Sequence, residues 1–304
     1  MLTGTSGFPA AATWARLQAF MAVYEAGSVR AAAEGLHVTA PAVSAAVASL
    51  ESAFGVTLFA KAGRGIVPTD SGDILAGYVR KLLGLLTEAA GAVHDADRGR
   101  VRIGAVATAS EYLLPRLMAS FVAAHPQVEL SLSVLPRDEV FALAVDHAVD
   151  VVLAGRPPRG AGLMTRARRP NRLVLVGRPG QRADPLTTTW LLTGLGSGTR
   201  DTTLSLLGRL QTAPPLLTLG TAGAVLAAAR HGLGVTLVHE EAARPHLDNG
   251  DLATYPVPGT PLERPWHLCT ASEPTAATRL FLQHVCDPDR VGDAAFHTTD
   301  RPRG

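Results

Sequence analysis

Between residues 28 and 54 the order SVRAAAEGLHVTAPAVSAAVASLESAF sets apolar and small residues in the rhythm of two short helices joined by a tight turn. Ser28 is a good N-cap, the Ala-rich run 29–34 favours helix, and Gly35 is expected to stop it. Thr39 then caps a second helix whose first turn accommodates Pro41. Val43, Val47, Leu50 and Phe54 recur on one face, which predicts a core stripe. The opposite face carries Ala40, Pro41, Ser44, Ala45 and Ala48, small residues that let a helix sit deep in a major groove. Upstream, Thr13 caps a helix with the stripe Leu17, Phe20, Met21 and Tyr24, closed by Gly27. Downstream, 56–60 and 65–67 read as strands around the basic turn Lys61-Ala62-Gly63-Arg64. Helix, helix, turn, helix and hairpin is the layout of a winged helix-turn-helix, although the helix pair alone could be an ordinary αα-hairpin.

A long helix is predicted from Thr69 or Asp70 to about Val93, with Leu75, Tyr78, Leu82, Leu85, Ala89 and Val93 stepping by threes and fours as in the seam of a helix pair. The polar segment 94–99 makes a hinge. From Arg100 the period changes. Strands are predicted at 101–106, 128–135, 149–154, 173–176, 189–192, 216–219, 235–238 and 265–270. Helices at 112–124, 139–147, 199–210, 222–230 and 275–286 alternate with most of them. That alternation predicts an α/β domain over 100–287 built on one or two mainly parallel sheets. The ends, 1–12 and 288–304, contain Gly and Pro and read as flexible tails; 13–70 is the winged domain and 71–98 the linker helix.

Composition narrows the class. With 304 residues, 47% hydrophobic and 18% charged, the chain is a soluble globular protein of about two domains. Neither a signal peptide nor an apolar run of the roughly 20 residues needed to span a bilayer is visible, so a cytoplasmic location away from membranes is expected. The net charge of +2 says nothing about nucleic acid. Within 13–70, Arg16, Arg30, Lys61 and Arg64 meet Glu25, Glu34, Glu51 and Asp70, so a few placed cations must position any DNA. Cys269 and Cys286 lack a CxxC arrangement and read as small core residues. His231, His239, His267 and His284 have no metal-ligand spacing and read as lone half-buried imidazoles; no metal or other cofactor is expected. No phosphate-binding Walker loop, dinucleotide fingerprint or GxSxG elbow occurs, which argues against an enzyme.

In α/β domains ligands bind at the carboxyl ends of strands, beside helix N-termini. Three turns fit: Thr108-Ala109-Ser110, then Gly196-Ser197-Gly198-Thr199-Arg200, then the turn at Thr221. The second is an anion cradle by composition, with glycines for close approach, two hydroxyls and an arginine at a helix start.

The run AGSVRAAAEGLHVTAPAVSAAVASLE, the following FGVTLFAKAGRGIVPTDSG and the long helix after it resemble the LysR-type transcriptional regulators. RIGAVATASEYLLPRLMASFVAAHP, DVVLAGRPP and GSGTR resemble the branch that regulates Calvin-cycle and cysteine-biosynthesis operons. The resemblance implies a winged helix-turn-helix, a linker helix paired antiparallel across a dimer, and a two-lobe effector domain like a periplasmic binding protein. Lobe I would span about 100–166 and 271–287, and lobe II about 167–270. Implied DNA-contacting residues are Ser28, Arg30, Thr39, Ala40, Pro41, Ser44, Ala45, Lys61 and Arg64. Arg156 joins the three turns at a cleft for a small anionic metabolite. Thr193-Gly194-Leu195 stands where that branch usually carries a charged residue, which puts its usual effector in doubt, and Ala40 stands where relatives often carry Gln. The implied function is a sequence-specific DNA-binding regulator, with operator DNA, a second copy or three further copies of itself, a small metabolite and RNA polymerase as partners. The alternative is a soluble α/β binding protein with an incidental N-terminal helical domain.

Overall fold

Ser28 and Thr39 act as their positions require: each hydroxyl accepts a hydrogen bond from the backbone N–H three residues on, at Ala31 and Ala42. They open α2 (Val29–Leu36) and α3 (Ala40–Phe54), which follow α1 (Trp14–Ala26). The computed structural model describes residues 12–63, 65–92, 99–180 and 184–299. Gly35 does not end α2; the helix runs one residue further and His37 takes the left-handed cap at φ 56°. Glycine is the usual choice there, but His is among the residues that tolerate it. Val43, Val47 and Leu50 are buried as the stripe predicts, whereas Phe54, in the frayed last turn, is exposed.

The strands β1 (Phe59–Ala62) and β2 (Gly65–Pro68) pair antiparallel, Lys61 opposite Ile66. Glu51 of α3 accepts hydrogen bonds from the N–H groups of Leu58 and Phe59, tying the start of the hairpin to the helix. The long helix α4 (Asp70–Ala92) closes the core, placing Ala76 and Val79 against Leu17, Phe20, Met21, Leu50 and Leu58. Leu75 packs with that core and leaves the expected seam. Ile74, Tyr78, Leu82, Leu85 and Leu86 are exposed along the other side. Val93 and the hinge 94–98 lie outside the described residues, as do the tail 1–11 and Arg64.

The chain divides into two compact units, the first ending at Leu86 and the second starting at Thr87. The second contains two lobes. In lobe I, β3 (Arg100–Ala105) pairs parallel with β4 (Glu129–Val134) and β5 (Val151–Ala154). The sheet continues through β13 (Trp266–Thr270), β6 (Met164–Arg169) and β14 (His297–Thr298), all antiparallel to their neighbours. Helices α5 (Ala107–Tyr112), α6 (Leu114–Ala124), α7 (Arg137–Val145) and α11 (Ala276–Val285) flank it. In lobe II, β7 (Arg172–Gly177) pairs antiparallel with β10 (Thr236–His239), β11 (Ala253–Thr254) and β12 (Leu262–Glu263). A parallel pair, β8 (Trp190–Thr193) and β9 (Leu216–Gly220), lies beside them, with α8 (Gly198–Arg209), α9 (Ala222–Arg230) and α10 (Glu240–Asp248).

The mainly parallel expectation is therefore corrected: most ladders are antiparallel. The antiparallel ladders arise where later strands, β10 to β14, run back along β5, β6 and β7 after long excursions of the chain. The lobe boundaries move as well. β6 and β13 both belong to the lobe I sheet, so the chain crosses at 170–171 and returns at 264–265. The tail expected beyond 287 is ordered through 299. The helix α12 (Pro288–Val291), a 3-10 turn and β14 bury Val291, Ala294 and Phe296 in the lobe I core, an apolar triplet that outweighs the proline signal.

α4 tests the packing of the first unit. A Cβ on Gly72 would stand 2.3 Å from the Leu58 carbonyl oxygen, whereas one on Gly77 meets nothing within 4 Å. Gly72→Ala should cost ~1–3 kcal/mol, and Gly77→Ala should be neutral or stabilise by up to ~1 kcal/mol. Urea midpoints of the two variants measure the contrast; equal midpoints would contradict the packing.

Candidate ligand cleft and nucleic-acid face

On α3, Pro41, Ser44, Ala45 and Ala48 are exposed, so a smooth face of small residues is on display with Ser44 as its polar group. Ala40 is half-buried and packs with the Val43 and Val47 cluster, so it offers less surface than expected. The Ser28 and Thr39 hydroxyls are engaged as caps. Arg30 pairs with Glu34 at 3.1 Å on an open surface, 87% and 68% exposed, a contact that solvent screens and a phosphate can replace. Lys61 is exposed on the hairpin.

The second unit holds a cleft of about 260 Å³ between its lobes. Three helices begin at it: α5 at Ala107 and Thr108, α7 at Pro136 and Arg137, and α8 at Ser197 and Gly198. None has a side-chain cap; Ser197 instead accepts a hydrogen bond from Thr193 at 2.8 Å. First-turn N–H groups without side-chain caps, together with the helix dipoles, make the walls electropositive. Gly196, at φ +77°, lets lobe II come close, because a Cβ there would stand 3.0 Å from Pro136. The Arg137 N–H then reaches the Gly196 carbonyl at 3.4 Å.

Arg264 is the cation of the cleft. It leaves lobe II on the return passage, donates to Thr202 at 2.6 Å and lies where a Cβ on Gly198 would be only 2.5 Å from Nη2. Burial and the nearby Arg137 charge both lower its pKa, while Asp201 partly offsets them. Among the described residues no carboxylate pairs with it.

Opposite stands His239, fully buried and stacked on Trp266 with ring centroids 4.4 Å apart. Asn171 Nδ2 lies 2.6 Å from His239 Nδ1 and also donates to the Arg264 carbonyl at 2.8 Å. Nδ1 is therefore the acceptor, and the proton sits on Nε2, facing Thr199 at 3.4 Å.

Of the sequence candidates, Thr108, Gly196, Ser197, Gly198 and Thr199 meet at this cleft. The others do not. Ala109 is wholly buried, the Ser110 hydroxyl donates to the Ala107 carbonyl, and Thr221 caps α9 while its neighbour Gly220 lines the wall. Arg200 turns away: its Nη1 donates to the Thr193 carbonyl and to Thr218, clamping β8 to β9. One helical step from Thr199 is about 100°, enough to carry Arg200 off the cleft. Arg156 lines a neighbouring depression. Arg137, His239, Arg264 and Trp266 were missed. His239 ends β10, one residue beyond the strand predicted at 235–238 and at the position from which ligand-facing residues come, but by sequence it reads as an isolated imidazole. Cys269 and Cys286 are free, and burial pushes each thiol up to about 11, so neither is a reactive thiolate near neutral pH.

His239 gives a pH prediction. Burial first, then the Arg264 charge, lower its pKa from 6.5 to about 3. Between those values the unfolded chain binds a proton the folded chain does not, so this contribution is complete above about 6.5 and lost as pH falls towards 3. The slope from one such group is at most ~1.4 kcal/mol per pH unit. His267 and His284, also lowered by burial, act in the same sense. His239→Gln should bring the urea midpoints at about pH 7 and about pH 5 closer together; an unchanged spacing would contradict a buried neutral imidazole.

Two family descriptions cover the chain: "Bacterial regulatory helix-turn-helix protein, lysR family" matches residues 14–73 and "LysR substrate binding domain" matches 94–287. The chain is 34% identical to the HTH-type transcriptional regulator CfxR of Cupriavidus necator, over 88% of each chain. It is also 34% identical to the RuBisCO operon transcriptional regulator of Allochromatium vinosum, over 83% of this chain and 88% of that one. In fold it is similar to a full-length OxyR variant from Pseudomonas aeruginosa, at TM-score 0.68 and 19% identity over 95% of this chain and 99% of that one. The incidental-domain alternative is not favoured. Matched in both its DNA-binding and its substrate-binding parts, the chain belongs to the LysR-type transcriptional regulators, with its resemblance to the Calvin-cycle branch upheld.

Proposed function

We propose that this DNA-binding regulator is controlled by a small anionic metabolite held in the interlobe cleft. The observation that carries the proposal is the Arg264 guanidinium, largely buried, without a paired carboxylate, where three uncapped helices converge. Burying such a charge is costly unless an anion completes the site. Thr108, Thr199 and the backbone of 196–198 supply hydrogen bonds, and the His239–Trp266 stack forms a flat, neutral wall. In this reading the arrangement serves binding, with the Ser197 hydroxyl engaged by Thr193. The exposed stripe of α4, from Ile74 to Leu86, suits pairing with a second copy, as dimer or tetramer. A cytoplasmic location and contact with RNA polymerase follow from the work of a transcriptional regulator. No described helix is long and apolar enough to cross a membrane.

Thermal denaturation with a panel of small carboxylates and phosphates tests the effector. A binding anion should stabilise the protein by ~2.7 kcal/mol at a hundredfold excess over its Kd. Arg264→Met should leave the unliganded protein as stable or more so and abolish the anion-induced shift. A shift of wild-type size in that variant would overturn the proposal.

The DNA face has its own test. In gel shifts with the DNA upstream of its own gene, Ser44→Glu should abolish the complex, since a carboxylate on the α3 face meets phosphate and base acceptors. Wild-type affinity in that variant would remove α3 from the groove.

A further inference from the structure

Across the Arg264 guanidinium from the first cleft lies a second, more open depression of about 440 Å³, also between the lobes. Lobe I contributes Arg137 and Arg156. Lobe II contributes one face of α8, where Gly198, Thr202, Ser205 and Arg209 recur at intervals of four, three and four. Arg264 lies between, reachable from this side because Gly198 has no side chain. Four guanidinium groups thus line one hollow with a single carboxylate, Asp201.

Arg100, Arg102, Arg116, Arg166, Arg169 and Arg172 each pair with an Asp or Glu. Among the described residues, Arg156, Arg209 and Arg264 have no such partner; Arg209 bonds only to Ser205 at 3.3 Å, and Arg264 to Thr202. Among the described residues Arg159, Arg168, Arg178, Arg200 and Arg279 also lack a carboxylate partner, but none of them lines this depression, where four guanidinium groups gather. Arg137 commits one arm to Asp138 and another to the Arg156 carbonyl. Like charges drawn together from two lobes repel, and the loss is recovered when a multivalent anion sits among them. Guanidinium forks match tetrahedral and carboxylate oxyanions in geometry as well as charge.

We infer that this outer depression is a second anion subsite, built for a phosphoryl group or a comparably compact multivalent oxyanion gripped between Arg156 of lobe I and Arg209 of lobe II. The inference rests on the reading of this domain as an anion-binding one, but adds a site that the first cleft does not contain. The occupant has two possible sources: a free phosphate-class ion, or the charged far end of a longer ligand whose other end fills the first cleft.

Isothermal titration of the full chain with inorganic phosphate, at constant ionic strength with chloride as reference, tests it. Arg156→Ala and Arg209→Ala should each weaken phosphate binding by about tenfold or more, the loss expected for a charge-assisted bond. Arg279→Ala, an exposed arginine outside both hollows, should leave phosphate binding unchanged. Both arginines are exposed, and circular dichroism of each variant is to check that it folds. Tripolyphosphate separates the sources. A spanning ligand weakens with both Arg209→Ala and Thr108→Val, a separate ion with Arg209→Ala alone, and either outcome supports the subsite. Wild-type protein that binds no phosphate at millimolar concentration overturns it. So does phosphate binding lost in Thr108→Val but intact in Arg209→Ala, a result that would leave the first cleft as the anion site.

Discussion

Arg264 joins two requirements that seldom meet in one residue. Its backbone is part of the hinge: its N–H donates to the Asn171 carbonyl at 2.7 Å, and its own carbonyl accepts from the Asn171 side chain at 2.8 Å. Residues 170–171 and 264–265 are the two passages between lobes, so this reciprocal pair stitches them together. Its side chain, meanwhile, is the charge at the bottom of the cleft. In the proposed reading, an anion that engages the guanidinium is bonded to the very segment that joins the lobes. The surroundings are cut to fit it. Gly155 and Gly198 leave room for the guanidinium, and His239 stays neutral because a second charge beside it would be buried without compensation.

The first unit is governed by a different constraint. Its core is small, and the recognition helix must keep one side packed while the other stays smooth. Val43, Val47 and Leu50 anchor α3, and Glu51, one residue beyond, directs its carboxylate to the hairpin's backbone N–H groups. That bond positions the hairpin from the same helix that presents Ser44 and Ala45. The docking surface is thereby set by hydrogen bonds to backbone, which leaves few charges for DNA and fits a domain whose acids and bases balance.

The first unit was largely legible in the sequence because its signals are local. Caps at Ser28 and Thr39, a proline in a first turn and a buried stripe are all written within a few residues of one another. The ligand cleft was half legible for the same reason: the turn 196–199 announces itself by glycines and hydroxyls. What escaped depends on tertiary contact. Arg200 and Arg264 look alike as letters, yet one clamps β8 to β9 and the other fills the cleft, because helix phase places the first and a long-range chain return places the second. The segment 288–299 misled in the opposite direction. Its proline and glycine are local signs of looseness, and the burial of Phe296 against the core formed by α6 and α11 is not visible until both are in place. α10, rich in charge and carrying Pro245 within it, has too weak an apolar stripe to be read at all.

On the passage side the lobes are joined by Arg169 and Trp266 of lobe I, both bonded to Glu241 of lobe II, and by the His239–Trp266 stack. Across the cleft, the Arg137 N–H to Gly196 carbonyl bond is long at 3.4 Å, and the contact beside it is Gly196 against Pro136. Against these stand the guanidiniums of Arg137 and Arg264, whose mutual repulsion lowers the Arg264 pKa. At the mouth of the cleft neither side of this balance is strong. A ligand can shift an equilibrium between two lobe arrangements only by the difference in its affinity for them. An anion bonded at once to the first turns of α5 and α7 in lobe I and of α8 in lobe II loses part of that set whenever the lobes part. Its whole interlobe contact therefore counts as differential affinity.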